Sequence, residues 1–406
     1  MTATPSARRH YRASSQRFPV IKLIKSTFHH EAETRRALAD FILHQDLLSM
    51  NGQCRTFEEA FAARQRRRHA VFVCNGSVAN LLLIQVLVNQ GLLRRGDRVG
   101  VSALTWPTNV MPLIQLGLEP VAIDCALDTL NVSPKNLERH VSGLRALFLT
   151  NVLGFCDDLP ALRALCDDHG VLLLEDNCEA LGSSVAGALL GNFSLASTFS
   201  FFVGHHLSTI EGGMVCTDDD DLYERLVISR AHGWDRNLAP DRQRRLRTEA
   251  AVDDFHAKYT FYDLASNFRP TEINGFIGNR QIRYWDEIVG ARAAHFARFQ
   301  QAMTGNEDVH QFDLNHMDTV SNFAMPVVCR TPELAEKYRA EFEAAGVEIR
   351  PVIAGDITRQ PFYRRYVPES AERPVARLVH TNGFYFGNNP DLTEDELTTL
   401  CDLLGE

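Results

Sequence analysis

The chain has 406 residues, of which 45% are hydrophobic and 23% are charged, and this composition is ordinary for a folded enzyme. The length predicts a large catalytic domain together with a smaller one. A formal net charge of −9 excludes a general nucleic-acid binder, because that role needs a cationic surface that displaces counterions. An anionic ligand must therefore bind at local arginines or lysines.

The ends of the chain and its cysteines indicate where the protein works. Residues 1–18 are basic and rich in serine but lack an apolar core, so we interpret them as a flexible tail and not as an export signal. The nine cysteines are scattered, mostly within apolar runs, and predict reduced thiols in a cytoplasmic protein. No CxxC or CxC pair occurs, so the sequence predicts neither a zinc site nor an iron–sulfur cluster, and it predicts no membrane span.

The first part of the chain alternates strand and helix patterns. Short, nearly unbroken apolar runs predict strands buried on both faces of a sheet, and they lie at residues 70–74, 97–103, 120–125, 146–152 and 171–175. Helical patterns cover residues 78–92 and 159–169, the second closed by Gly170. This alternation predicts an α/β domain over residues 61–290, with a mainly parallel sheet covered by helices.

The pattern then changes to that of a small α+β domain, which we assign to residues 291–406. Its predicted elements are a helix at 286–303, a strand at 321–329, a helix at 332–346, a strand at 347–351 and a closing helix at 393–404. We expect an N-terminal segment, residues 19–60, to pack with this domain. Residues 235–247 carry several arginines without an apolar period, so we predict a solvated loop there.

Two local patterns place polar groups where a ligand is expected. A buried run, residues 172–175, ends in carboxylates, so Asp176 lies at the carboxyl end of a strand, where open α/β sheets bind their ligands. Taken alone, Asp176 would be more readily explained as an exposed loop acid or a helix cap. Gly76 and Ser77 open a helix whose free N–H groups suit a phosphate, although a plain N-cap would look the same.

A longer sequence motif indicates that these residues belong to one site. Residues 197–215 read Ser-Thr-Phe-Ser-Phe-Phe-Val-Gly-His-His-Leu-Ser-Thr-Ile-Glu-Gly-Gly-Met-Val. This stretch resembles the sugar aminotransferase and dehydratase family of fold type I pyridoxal-phosphate enzymes, in which a cofactor-binding lysine lies between Ser-Phe and Glu-Gly-Gly. His205 stands at the lysine's position. Further matches span residues 40 to 390, including Trp106-Pro-Thr-Asn109 and Asn267-Phe-Arg269-Pro-Thr-Glu272.

The resemblance implies a fold and a set of site residues. The fold is that of type I aminotransferases, with a seven-stranded sheet and a small C-terminal domain. The implied cofactor-binding residues are Asp176 at the ring nitrogen, Gly76, Ser77 and Ser200 at the phosphate, Trp106 stacked on the ring, Glu179, and Asn267 with Arg269 contributed by the neighbouring subunit of a homodimer. The implied substrate-binding residues are Asn51, His206, Arg350 and Phe384.

The paired histidines, His205-His206, make the chain most similar to a branch of sugar 3-dehydratases. The five lysines lie elsewhere in the sequence, so a Schiff base with the protein cannot form at this position, whereas imidazole can take and return protons near neutral pH. The resemblance therefore implies pyridoxamine or pyridoxal phosphate held without a covalent bond. His205 would act as the base in removal of the C3 hydroxyl from a nucleotide-linked 4-keto-6-deoxy sugar, and glutamate or a similar donor would restore the amine.

Three alternatives stay open at this stage. Asp356 and Asn389 stand where this branch is expected to have asparagine and histidine, so an aminotransferase-like reaction, or another elimination or deamination on a different substrate, remains possible. A second alternative is a subunit that needs a reductase partner. The third is a cofactor-binding protein without turnover, which the chemically sensible identities of Asp176, Trp106 and Ser200 disfavour.

Overall fold

The structure is a computed structural model that describes residues 21–368 and 371–405, so the predicted tail, residues 1–18, lies outside the described part. The helices of the described part are α1 (Glu31–His44), α2 (Gly52–Gln65), α3 (Gly76–Asn89), α4 (Met111–Gln115), α5 (Pro134–Glu138), α6 (Leu159–Asp168), α7 (Asp220–Ser229), α8 (Pro240–Glu249), α9 (Glu272–Gln281), α10 (Trp285–Met303), α11 (Pro332–Ala344), α12 (Pro361–Tyr366), α13 (Pro374–Asn382) and α14 (Glu394–Gly405). Within this part, no helix combines the length and the apolar character that a membrane crossing requires.

The strands of the described residues form three sheets. They are β1 (His69–Val73), β2 (Arg98–Ser102), β3 (Glu119–Ile123), β4 (Ala146–Thr150), β5 (Leu172–Asp176), β6 (Ser184–Val185), β7 (Ala188–Leu189), β8 (Ala196–Ser200), β9 (Gly213–Thr217), β10 (Met317–Thr319), β11 (Ala324–Val328), β12 (Ile349–Arg350) and β13 (Gly383–Gly387). The main sheet has seven strands in the order β1-β9-β8-β5-β4-β2-β3, and only β9 runs antiparallel to its neighbours. The prediction of a mainly parallel, helix-covered sheet is therefore confirmed.

The main sheet is buried because helices cover it on both faces. Every residue of β4 is buried, as its unbroken apolar sequence predicts for a central parallel strand. Helix α3 begins at Gly76, where the Asn75 side chain caps it by accepting the N–H of Val78 at 2.9 Å. Helix α6 ends before Gly170, which takes a left-handed φ of 64° as the sequence predicts.

The small domain is built on the antiparallel sheet β11-β13-β12. The strand predicted from residue 321 begins only at Ala324, because polar side chains take the preceding backbone groups. Ser183 Oγ accepts the Ser321 N–H at 2.9 Å, and the Asn322 side chain donates to the Ala324 carbonyl at 2.8 Å. The short sheet β10-β6-β7, whose strands have two or three residues, was not predicted.

The N-terminal segment contacts both domains. Ile21 forms a parallel bridge with Val347 of the small domain, and Lys25 pairs with Glu396 of α14. Helix α2 instead packs against α9, where the carboxylate of Glu272 accepts backbone N–H groups at the start of α2. Residues 21–26 thus contact the elements around β12 and α14, whereas α2 packs against α9.

The prediction of a solvated loop at residues 235–247 is wrong, because α8 covers Pro240–Glu249. Leu246 is the only buried residue of this helix, so no apolar period marks it in the sequence. Ion pairs hold the helix instead. Arg247 donates to the fully buried carboxylate of Asp235 at 2.8 Å, and Arg242 and Arg245 pair with Glu224 of α7.

Candidate active site

A cavity of about 510 Å³ opens at the carboxyl ends of β4 and β5, between the main sheet and the small domain. This is the edge at which open α/β sheets bind their ligands. The cavity brings together seven of the residues predicted from the sequence, namely Gly76, Ser77, Trp106, Asp176, Glu179, Ser200 and His205. Leu23 and Ile24 of the N-terminal segment and Phe323, Ile353 and Tyr385 of the small domain close its other side.

Asp176 is the last residue of β5 and is 4% exposed. Its Oδ2 accepts the side-chain amides of Asn80 at 2.9 Å and Asn109 at 2.8 Å, and its Oδ1 accepts the Cys178 N–H at 2.9 Å. The Asn80 carbonyl is itself fixed by the Thr198 hydroxyl at 2.6 Å. These donors hold the carboxylate in a defined orientation at the cavity wall, as a partner for a protonated ring nitrogen requires.

The start of α3 forms a cradle for an anion. A Cβ at Gly76 would lie 2.6 Å from Ser200 Cβ and 2.9 Å from Ser200 Oγ, so only glycine lets the helix approach the end of β8 this closely. The free N–H groups of this first turn and the exposed Ser77 face the cavity. The residues present therefore fit a phosphorylated pyridine cofactor, with its phosphate at α3 and its ring beside Asp176.

His205 is partly buried in the cavity, with the ring of Phe323 5.2 Å from its own and nearly perpendicular to it. Its Nδ1 is buried without a hydrogen-bond partner among the described residues. Burial lowers the pKa of His205 to about 4, although the Ser200 carbonyl and Asp176 act in the opposite direction. The imidazole is therefore neutral at physiological pH and has a free nitrogen that can accept a proton.

Two further protonatable groups, Glu179 after β5 and Tyr385 of the small domain, line the cavity. Burial and the charge of Asp176 raise the pKa of Glu179 to about 7, although its Oε2 accepts the Leu153 N–H at 2.9 Å. Burial also raises the pKa of Tyr385, so its hydroxyl stays protonated. The cavity thus combines a neutral base with groups that carry protons near neutral pH.

His206 lies behind the cavity and not in its lining. Its Nε2 contacts the Ser321 carbonyl at 2.9 Å, and burial keeps its pKa well below the ordinary value. The buried Arg292 donates to the carbonyls of Asn322, Phe323 and Asn388, which brings a guanidinium close to both histidines. His206 and Arg292 together hold the backbone that places Phe323 against His205.

The other residues predicted from the sequence lie elsewhere in this chain. Asn51 is exposed and its N–H donates to Glu272, while Arg350 is exposed and pairs with Glu348. Phe384 is 1% exposed and packs in the small domain, 5.2 Å from the ring of Phe342, and it is its neighbour Tyr385 that lines the cavity. None of these three lines the cavity.

Asn267 and Arg269 also lie outside the cavity lining of their own chain. Asn267 is exposed and its side chain accepts the Arg269 N–H at 3.3 Å. The Arg269 guanidinium lies 5.8 Å from the Trp234 ring. Neither side chain therefore lines the cavity of this chain.

Sequence reasoning missed the amides of Asn80 and Asn109 as holders of Asp176. Asn80 carries a detectable signal, because it is a polar residue one helical turn after Gly76 and interrupts the apolar run from Val78 to Ile84. Tyr385 carries a weaker one, since in a strand its side chain must face opposite to that of Phe384.

The seven-stranded sheet, the carboxylate at its edge and the anion cradle define an aminotransferase-fold protein with a site for a pyridoxal-type cofactor. Residues 29–405 match the model of the DegT/DnrJ/EryC1/StrS aminotransferase family. The chain belongs to this family.

Within this family, the chain is similar to several proteins that are named as sugar 3-dehydratases. The chain is 28% identical to the GDP-4-keto-6-deoxy-D-mannose 3-dehydratase of Escherichia coli O55:H7 over 368 residues, which cover 89% of this chain and 94% of the relative. The solved E. coli enzyme of that name with bound hydrated PLP matches with a TM-score of 0.87 at 27% identity, over 96% of this chain and all of the other. A structure of such a dehydratase with a trapped PLP-glutamate geminal diamine matches with a TM-score of 0.86 at 27% identity, over 95% and 100%.

Proposed function

We propose that this protein is a pyridoxamine-phosphate-dependent sugar dehydratase. It removes the C3 hydroxyl from a nucleotide-linked 4-keto-6-deoxy sugar, and glutamate supplies the amine that regenerates the cofactor. The observation that carries the proposal is His205, a neutral imidazole in the cavity where an aminotransferase needs a lysine. No lysine occurs among the described residues that line the cavity.

The cofactor would be held by groups already oriented for it. The first turn of α3 with Gly76 and Ser77, together with Ser200, would bind the phosphate, Asp176 would pair with the ring nitrogen, and Trp106 would cover the ring. When bound, the cofactor supplies an electron sink next to the substrate's C4. Because no lysine competes for its aldehyde form, it remains exchangeable.

His205 would move the protons of the reaction. Its neutral imidazole takes a proton from the carbon beside the cofactor ring and then gives a proton to the departing C3 hydroxyl. Phe202 and Phe323, whose rings lie 6.0 and 5.2 Å from the imidazole, limit the access of water to it. A lysine at this position would instead return the proton to the carbon and favour transfer of the amine.

The substrate assignment rests on the relatives, whose printed names specify a GDP-linked 4-keto-6-deoxymannose. We infer a nucleotide-linked sugar of this class for the present chain. The 510 Å³ cavity is large enough for the sugar. Asp356 is 5% exposed and caps the turn at Thr358 with a 3.0 Å hydrogen bond, so its structural role accounts for an aspartate at that position.

We further propose a homodimer in which each subunit completes the site of the other. Four large apolar side chains in one loop are exposed by more than half, namely Phe255, Tyr259, Phe261 and Leu264. Arg269, Trp234 and Arg236 lie beside this loop, with the Arg236 guanidinium 4.0 Å from the Trp234 ring. A second copy would cover this surface and receive Asn267 and Arg269 at its cofactor phosphate. We place the enzyme in the cytoplasm, in keeping with its nine free cysteines.

Absorbance spectroscopy tests the proposal. The protein is loaded with pyridoxal phosphate, titrated with glutamate, and then given GDP-4-keto-6-deoxymannose. We expect glutamate to convert the aldehyde spectrum to that of the amine, and the sugar to reverse the change with release of ammonia and a 3-deoxy sugar. Formation of a 4-amino sugar would show an aminotransferase instead. The absence of any spectral change with either compound would contradict both reactions.

A further inference from the structure

A second pair of adjacent histidines, His29 and His30, lies at the start of α1, outside the cavity described above. Nε2 of His29 is 2.9 Å from Oε1 of Glu287, and Nε2 of His30 is 3.5 Å from the same oxygen. One ligand atom from each of the three residues lies within 4.8 Å of the others. Two imidazole nitrogens and one carboxylate oxygen therefore surround a single point.

The backbone around these histidines is held in place by other residues. Gln281, which is 1% exposed, accepts the His29 N–H at 2.9 Å and donates to the His29 carbonyl at 3.0 Å. His30 takes a left-handed conformation with φ 51° at the N-cap of α1. The two imidazole centroids are consequently 4.6 Å apart, and the Tyr284 ring packs against both of them.

His29 is poorly satisfied by the protein alone. Both of its ring nitrogens are buried, and neither has a hydrogen-bond partner of acceptable geometry among the described residues. The 2.9 Å contact with Glu287 therefore has the distance of a hydrogen bond but not its direction. Nδ1 lies 3.7 Å from the carboxylate of Asp391, and a carboxylate behind a histidine commonly orients a metal-bound imidazole.

We propose that His29, His30 and Glu287 bind one divalent transition-metal ion of the zinc type. Imidazole and carboxylate are the ligands that this class of ion accepts when cysteine is absent. Two ligands of a tetrahedral ion with bonds of about 2.0–2.1 Å lie roughly 3.3 Å apart, and the two measured distances to the Glu287 oxygen bracket this value. Water would complete the site, because His30 and Glu287 are half-exposed.

The sequence prediction of no metal site rested on the absence of paired cysteines, and it could not detect ligands from two distant segments. A bound ion would tie the start of α1 to the start of α10, close to the loop that carries Asp391. Because it binds the folded chain only, it would raise the thermal stability of the protein, and this gain would grow with the logarithm of the free ion concentration above Kd.

Calorimetric titration of the tag-free holoenzyme, after treatment with a chelator, tests the site. We expect Zn²⁺ to bind at one equivalent per chain and to raise Tm. Co²⁺ should give the absorption of a four-coordinate ion, whereas Mg²⁺, which prefers six oxygen ligands, should have no effect. His30→Ala and Glu287→Gln should each weaken Zn²⁺ binding by about 100-fold or more, and Asp391→Asn by about 10- to 100-fold.

His44→Ala serves as the matched control, because His44 pairs with Asp40 on the exposed side of the same helix. It should bind Zn²⁺ as the wild type does. Sugar dehydration should be unchanged in the His30 and Glu287 variants, which shows that they fold. The proposal is overturned if the wild type does not bind Zn²⁺, or if the wild type and His30→Ala bind it with equal affinity. The three residues would then form only an ion pair.

Discussion

His205 is surrounded by groups that determine when its imidazole can accept a proton. Aromatic rings and the protein interior disfavour its charged form, and Arg292 adds to this effect. The resting side chain is therefore a free base over the whole physiological range. Its proton-accepting capacity is lost only as the pH falls through about 4, which is the pKa of the folded state.

The pH dependence of the reaction tests this environment. We expect the acidic limb of the kcat/KM profile to be centred near pH 4 and not near the ordinary imidazole value of about 6.5. Unfolded imidazole binds a proton between these two values while the folded residue does not, so His205 itself makes the protein less stable as the pH falls through this window. Brief exposure to acid followed by assay at pH 7.5 separates reversible titration from unfolding. An acidic limb near 6.5 would argue against a desolvated imidazole.

Replacement of His205 by lysine separates two roles of a residue at this position, namely removal of a proton and covalent attachment of the cofactor. His205→Lys should lower dehydration by about 10²–10⁴, the usual contribution of a general base, and divert turnover toward a 4-amino sugar. Borohydride should trap the cofactor on the introduced lysine but on no residue of the wild-type segment 197–215. His205→Asn removes the imidazole without adding an amine. This variant should lose dehydration activity and should not form the 4-amino sugar. If His205→Lys dehydrates at the wild-type rate, His205 is not the base and another group that lines the cavity must take the proton.

The neighbours Phe384 and Tyr385 point to opposite faces of β13 and should respond differently to mutation. Phe384→Ala removes a side chain from the core of the small domain and should cost about 3–5 kcal/mol of unfolding free energy, with little change in KM. Tyr385→Phe should leave the unfolding free energy nearly unchanged and lower kcat/KM about three- to tenfold, the value of one hydrogen bond. Chemical denaturation and steady-state kinetics on both variants measure the difference. A KM effect confined to Phe384→Ala would restore Phe384 as the substrate contact.

These two residues also show what the sequence could and could not predict about the site. Alternation along a strand requires that only one of them faces the cavity. The run Gly-Phe-Tyr-Phe-Gly has aromatic side chains on both faces, however. Neither face is more polar than the other, so the sequence does not show which face packs against α11. His205, Asp176 and Gly76 were predictable because each lies at, or a few residues after, the carboxyl end of a strand of the main sheet.

At the scale of elements, the first turn of α3 depends on the absence of a side chain at Gly76. Gly76→Ala should push the helix start away from Ser200, weaken the hydrogen bonds to a phosphate and raise the cofactor Kd by about 10- to 100-fold. Gly290→Ala is the control, because a Cβ there meets no atom within 4 Å and should only raise helix stability, by about 0.5–1 kcal/mol. Fluorescence titration with pyridoxal phosphate measures both. Wild-type affinity in Gly76→Ala would show that the phosphate binds elsewhere.

Helices with a clear apolar period were predicted to within a few residues of their ends. A helix that is stabilised by side chains of other segments was not predicted. Helices α3, α6 and α10 bury a stripe that the sequence displays. Helix α8 buries one residue and is stabilised by acids on α7 and in the loop before it, so its own sequence gives no sign of a helix. Such tertiary ion pairs are invisible to any local pattern.

At the scale of the whole molecule, the cofactor cavity has no arginine at the expected phosphate position in the part of the chain that the structure describes. Among the described residues that line the cavity none is an arginine, although a phosphate and a nucleotide diphosphate both carry negative charge. Arg269 lies outside its own cavity, beside the exposed aromatic loop at residues 255–264. A two-fold dimer that buries this loop would bring the guanidinium of one chain to the cavity of its partner.

Mixing two inactive variants tests whether the sites are shared. Arg269→Ala and His205→Ala are each expected to be inactive as homodimers, because every site lacks either the phosphate ligand or the base. After the two are unfolded and refolded together, half of the dimers pair one variant with the other, and one of their two sites then has both residues intact. The mixture should recover about one quarter of the wild-type activity. A chain with both substitutions, refolded with His205→Ala, should recover none, since no site then has an intact base. Activity of the first mixture that never exceeds that of its parents would place Arg269 in the site of its own chain or outside any site.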